Sequence, residues 1–182
     1  MRKLIVSIFI FFLTIISTYA NERDVELNKL FQELKKNNSS LSFKIEQQIW
    51  SLWTTHPNNE KLTLMLDEGS KLVRENKLIQ AVSIFTDTIE IDPNWAEAWN
   101  KRATVYYLLG EFQKSQNDID KVLKLEKRHF GALAGQGLVN IKLKNYEKAI
   151  QSYQMAEEIY PSMKSPKLMI KQIKELIKNE TI

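Results

Sequence analysis

Residues 96–129 read AEAWNKRATVYYLLGEFQKSQNDIDKVLKLEKRH, one 34-residue unit of a pattern that runs on both sides of it. Ala103 in this unit is matched by Gly69 and Gly137, Ser115 by Ala81 and Ala149, and Ile119 by Phe85 and Tyr153, each 34 positions away. A small residue recurs where two helices must touch, and a large apolar one recurs a helical turn later. Such a period marks stacked helix–turn–helix units, each too small to bury its own apolar face. The expected fold is all-α: an α-solenoid with an N-terminal helical hairpin and a C-terminal capping helix.

Three hairpins follow from the period, as repeats of about 62–95, 96–129 and 130–163 within a domain of 59–163. Leu62–Glu75 pairs with Ile79–Ile91. Ala96–Leu109 pairs with Phe112–Leu125, with Gly110 at the turn. Phe130–Leu143 pairs with Tyr146–Ile159. Pro93 and Pro161 stand just past the second helix of their hairpins, where proline ends a helix; the middle hairpin has Lys127 there. Upstream, Leu27, Leu30, Phe31 and Leu34 give an amphipathic helix over 24–36, Asn37 to Ser40 a turn, and Ile45, Ile49, Trp50, Leu52 and Trp53 a second helix over 43–54. Residues 21–58 are read as a degenerate first hairpin or a helical N-cap. Residues 164–182 form the cap, with Ser165 as N-cap and Pro166 at the first helical position.

The first twenty residues are different in kind. Arg2 and Lys3 precede an apolar run from Leu4 to Ile16, and Thr18-Tyr19-Ala20 supplies small residues at the sites a signal peptidase inspects. This predicts a signal peptide over 1–20, cleaved after Ala20, and a periplasmic or secreted protein. The alternative is an uncleaved anchor in the inner membrane, for which the run is short. The 182 residues contain no cysteine, which excludes a disulfide and a lipid-modified cysteine. The net charge of +4 falls to +2 once Arg2 and Lys3 are removed, so charge gives no reason to expect nucleic-acid binding.

The repeat residues resemble the tetratricopeptide repeat, whose pattern is W-x2-L-G-x2-Y, then Ala, x3-Phe and Pro. Trp99, Arg102, Ala103, Tyr106, Ser115, Ile119 and Lys127 occupy these slots in the middle unit. In the third they are Leu133, Gln136, Gly137, Asn140, Ala149, Tyr153 and Pro161, and in the first Met65, Glu68, Gly69, Leu72, Ala81, Phe85 and Pro93. The small-residue slots match best; the leucine slot matches in none. The stretch 94–138 looks like a subgroup of exported bacterial repeat proteins. The resemblance implies protein–protein interaction through a concave groove lined by the first helix of each pair. The matching positions that would form it are Leu66, Ser70, Val73, Asn100, Thr104, Tyr107, Leu108, Gly131, Ala134, Leu138 and Ile141.

Some members of the family grip a C-terminal carboxylate with cationic side chains on that face. Here the corresponding slots hold Leu66, Ser70, Lys101, Gly131 and Gly135, of which one is cationic, so a carboxylate clamp is not expected. The face is apolar and shallow, suited to an apolar helix or extended peptide; the alternative is that these residues pack on other parts of the chain. His56 and His129, 73 positions apart, are read as surface or capping residues, and they form no catalytic or metal-ligating constellation. Trp50, Trp53 and Trp99 are assigned to core packing, and the lysines of the last helix to a solvated cap. The expected function is an exported, non-enzymatic scaffold or adaptor that needs no cofactor and binds another protein or peptide. The alternatives are a substrate-recruiting accessory subunit of an envelope enzyme and a membrane-tethered scaffold.

Overall fold

The computed structural model describes residues 22–36 and 39–180; the expected signal peptide and its cleavage site lie outside the described residues. Among those described there are nine helices and no strand. They are α1 (22–35), α2 (Ser39–Thr54), α3 (Glu60–Arg74), α4 (Leu78–Ile91), α5 (Ala96–Leu108), α6 (Phe112–Leu125), α7 (Phe130–Lys142), α8 (Tyr146–Ile159) and α9 (Lys164–Glu180). None is long and apolar enough to cross a membrane.

Helices α3–α8 form three hairpins whose turns repeat with the sequence. Asn76, Gly110 and Lys144, again 34 apart, all have positive φ, at 58°, 77° and 58°. At each turn the amide of this residue donates to a carbonyl three back, as Asn76 to Val73, and the next amide donates to a carbonyl five back, as Lys77 to Leu72. This is the left-handed C-terminal cap that satisfies the last carbonyls of a helix and reverses the chain. The turns between hairpins repeat as well: the amides of Trp95, His129 and Met163 donate to Asp92, Glu126 and Tyr160.

Within a hairpin, the small residues bring the helices together. Gly69 faces the ring of Phe85 and Gly137 that of Tyr153, so closely that a Cβ at either position would lie inside the ring's contact surface. In the middle hairpin Ala103 takes the glycine slot, and Ser115, buried in the slot of Ala81 and Ala149, donates its hydroxyl to the Ala103 carbonyl at 2.8 Å. At the far end α9 closes the stack by placing Ile173, with Met169, Ile170 and Ile177, against the Ala149–Tyr153 cluster. It starts earlier than expected, at Lys164, so Pro166 falls in the first turn rather than at its opening. Proline is tolerated there because those first amides have no intrahelical acceptor.

Helices α1 and α2 depart from the degenerate-repeat reading. They do not continue the stack as a degenerate repeat but lie as a strap along the turns that join the hairpins. Leu27, Leu30, Phe31, Leu34, Ile49 and Trp53 form one core with Phe130 and Tyr160. Trp95 Nε1 donates to the Trp53 carbonyl at 2.9 Å, Tyr160 Oη to Glu46 at 3.0 Å, and Ser162 Oγ to Ser42 at 2.7 Å. The strap therefore touches the end of every repeat. Ser39 and Ser40, expected in the turn, belong to α2, whose start they suit as residues that favour helix N-termini.

Candidate functional site

A small pocket of about 80 Å3 opens between α5 and α7. Asn100, Thr104 and Tyr107 line it from α5, Gly131, Gly135 and Leu138 from α7; Ala103, Ser115, Ile119, Ala132 and Val139 complete the lining. Gly135 leaves room: a Cβ there would make only ordinary contact, 3.7 Å from Ile119 Cδ1. Tyr107 is braced by the Phe112 ring at 5.6 Å. The pocket is far below the ~300–1,000 Å3 of small-molecule sites. It admits one apolar side chain.

Five of the expected groove residues, Asn100, Thr104, Tyr107, Gly131 and Leu138, meet at this pocket. Leu108 stands outside it, 53% exposed. The others are drawn into packing. Leu66 is 1% exposed, in one core with Trp95, Ala98 and Val105, and Val73 packs on the same core. Ser70 turns its hydroxyl back to the Leu66 carbonyl. Ala134 and Ile141 pack against the Ala149–Tyr153–Ile173 cluster. The face is thus a single recess in the middle of the stack rather than a continuous track, and Leu66 offers a partner no surface.

The strap borders the pocket. Trp50 lies over Gly131, where any Cβ would collide with its ring, and Lys101 Nζ stands 6.0 Å from the same ring. Behind them is a knot that the sequence did not reveal. Glu97, in the first turn of α5, and His129, the N-cap of α7, are both fully buried and meet at 3.0 Å through His129 Nε2. His129 Nδ1 accepts from the Ala132 amide, so the ring proton resides on Nε2 and is donated to the carboxylate. Trp53 stacks on the imidazole, with centroids 4.0 Å apart and planes 7° from parallel. Lys101 Nζ lies 3.2 Å from the other carboxylate oxygen, and Asn100 Nδ2 donates to the first. Burial pushes the Glu97 carboxyl up, but the His129 hydrogen bond and the Lys101 ammonium more than offset it and hold it below the usual carboxylate range.

His56 is built alike. Its Nε2 bonds Asp92 at 2.8 Å, its Nδ1 accepts from the Asn58 amide, and its ring meets Trp95 edge-on. The reading of His129 as a cap holds, but both histidines are buried rather than on the surface. The signal missed was positional: each histidine precedes a repeat helix and has a carboxylate about one repeat away, Asp92 36 residues after His56 and Glu97 32 residues before His129.

At the carboxylate-clamp slots, Leu66 is buried, Lys101 is paired with Glu97, and Trp50 covers Gly131. These positions present no cationic cradle. Among the described residues no three His, Asp or Glu side chains converge as metal ligands.

Residues 96–129 and 131–163 each match the tetratricopeptide repeat family, and these two segments are tetratricopeptide repeats. A TPR repeat-containing protein of Rhizobium etli is 27% identical over 82% of this chain and 73% of its own length. The human RNA polymerase II-associated protein 3 is 23% identical over 76% of this chain, which spans only 21% of that protein. Among solved structures, the first TPR of Spaghetti (RPAP3), bound to the HSP90 peptide SRMEEVD, superposes with a TM-score of 0.64 at 20% identity, covering 66% of this chain and 96% of the other. The fold is that of a TPR solenoid.

Proposed function

We propose that this protein is an exported scaffold or adaptor that holds a partner protein by an apolar side chain inserted between α5 and α7. The observation that carries the reading is the pocket at Asn100, Thr104, Tyr107, Gly131 and Leu138, the one place where the expected groove stays open. The first TPR of Spaghetti (RPAP3) is bound to an acidic HSP90 peptide, SRMEEVD. Here the corresponding slots lack unpaired cations, so an apolar anchor on a helix or extended segment fits better. Export rests on the charged, apolar and small-residue order of the first twenty residues.

Replacing Tyr107 and Leu138 together by Ala tests the site. Capture of the partner from an envelope extract is expected to fall at least ~10-fold, as for loss of a buried anchor, with the melting temperature nearly unchanged. Undiminished capture overturns the assignment, as does unfolding of the double variant in place of a selective loss of binding. Mass spectrometry of the native protein is expected to find Asn21 at its N-terminus; Met1 overturns cleavage.

A further inference from the structure

The two junctions between successive repeats use the same slots with different side chains. Between the first and second repeats, the Arg102 guanidinium bridges Asp118 through two hydrogen bonds of 2.8 and 2.9 Å, reaches Thr86 Oγ1 at 3.0 Å, and lies over the rings of Trp99 and Tyr106. One repeat later, these positions hold Gln136, Ser152, Asp120, Leu133 and Asn140. Four of the five changes shrink the side chain. The gap that Arg102 fills at the first junction is a cleft of about 430 Å3 at the second, between α6 and α8 and floored by α7.

This cleft is polar and ordered. Asn140 and Ser152 are each 3% exposed. Asn140 donates to Gln116 at 3.0 Å, Ser152 to Gln136 at 2.9 Å, and Gln116 to Asp120 Oδ1 at 2.8 Å. The floor's polar groups are paired with one another, so the cleft is preformed rather than a packing defect. Among the described residues nothing pairs with Asp120 Oδ2 or with the side-chain amide of Gln151 at the rim, which leaves an acceptor and a donor–acceptor pair facing the opening.

We infer that this cleft binds a short stretch of extended, uncharged polypeptide through its backbone, at a site separate from the α5–α7 pocket. A side-chain amide offers one donor and one acceptor in a plane, the same pair that a peptide unit presents in reverse. The lining runs from Gln113 to Asp120 on α6 and from Lys148 to Met155 on α8. Each spans about 10 Å along its helix axis, the length of about three extended residues. The lining carries one charge of each sign, Asp120 and Lys148, and Leu143 and Met155 supply apolar contact but no ring on which a sugar could stack. Recognition is of the backbone and tolerates sequence.

The test titrates the 15N-labelled chain with the blocked peptide acetyl-Ala-Ser-Ala-Ser-amide and follows the side-chain NH2 resonances of Gln116, Gln136, Asn140 and Gln151. Saturable shifts at millimolar peptide are expected, unchanged in the Tyr107→Ala, Leu138→Ala variant, which separates this site from the proposed partner pocket. Combining Gln136→Arg with Ser152→Asp installs the side chains that fill the first junction; it is expected to keep the fold and weaken binding at least ~10-fold. Gln151→Leu, on the exposed rim, is expected to weaken it ~3-fold or more without touching the packed floor. Absence of saturable shifts in the native chain overturns the inference, as does equal affinity in both cleft variants. Shifts of the same resonances by N-acetylglucosamine and not by the peptide overturn it in favour of a carbohydrate site.

Discussion

The stack and the strap are held together by different physics. In the stack, Gly69 on Phe85 and Gly137 on Tyr153 are backbone-to-ring contacts set by steric fit, repeated with the chain's own period. The strap is anchored to the ends of the three repeats by other means: Trp53 stacks on His129, whose imidazole is bonded to the buried Glu97, and the Trp53 carbonyl accepts from Trp95, while Phe31 packs on Phe130 and Glu46 accepts from Tyr160. The stack is a sum of neighbouring contacts, as in other solenoids. The strap runs across several repeats and ties them into one unit. Damage to the stack should therefore spread to the strap, whereas damage to the strap's anchors should leave the stack standing.

The largest effect is expected from Gly137→Val. The added side chain would enter the Tyr153 ring, and overpacking of this kind costs about 3 kcal/mol. Urea unfolding should show the midpoint fall in step for backbone circular dichroism and for the 19F resonances of the strap's Trp50 and Trp53 in 5-fluorotryptophan-labelled protein. Separate transitions would show that the strap holds its shape without the stack beneath it.

That asymmetry also explains what was legible in the sequence. Steric fit leaves a residue-by-residue record, so the three hairpins and the Gly–aromatic contacts could be read from the spacing of Gly69, Ala103 and Gly137. The strap's partners lie far away in sequence: Glu46 bonds Tyr160, and Ser42 bonds Ser162. The amphipathic pattern of α1 and α2 fixed that they are helices, and says nothing about which surface they cover. The groove was legible in part for the same reason. Tyr107 and Leu138 followed from the repeat register, but Leu66 is consumed by packing with Trp95 at the end of its own repeat and Ala98 of the next. Trp50 enters the site from outside the period altogether.

An intermediate effect is expected from the Glu97 knot. Glu97→Gln keeps the shape but removes the charge that holds His129 and Lys101, at a cost of about 1–2 kcal/mol. The 19F resonances of Trp50 and Trp53 should change at lower urea than the backbone signal. The same carboxylates give the strap a pH dependence. For Glu126, burial raises the carboxyl and the hydrogen bonds and charge of Arg128 lower it further than that, so it too lies below the usual range. A carboxyl depressed in the folded state contributes its full stabilisation above its ordinary pKa of 4.5 and loses it as pH falls through the lower folded value. The groups that face the pair are His129 and Lys101 at Glu97, and Arg128, His129 and Arg23 at Glu126. Acid should therefore loosen the strap below pH 4.5, less steeply in Glu97→Gln. An identical acid transition in that variant would assign the dependence to other groups.

The smallest effect is expected where neither region is disturbed. Lys144 has φ 58° at the turn between α7 and α8, the position filled by Gly110 in the preceding repeat. A side chain in this left-handed conformation crowds its own backbone at roughly 1–2 kcal/mol, while glycine gives back about 0.5–1 kcal/mol of chain entropy on folding. Lys144→Gly should thus raise stability by about 0.5–1 kcal/mol, and Gly110→Lys should lower it by a similar amount. Asn76→Gly should change little, because asparagine visits this conformation readily. All three should leave the 19F resonances of Trp50 and Trp53 untouched, since the turns they alter lie at the hairpin ends away from Trp95, His129 and Tyr160. A loss of stability in Lys144→Gly would mean that the lysine side chain, and not the backbone conformation, decides that turn.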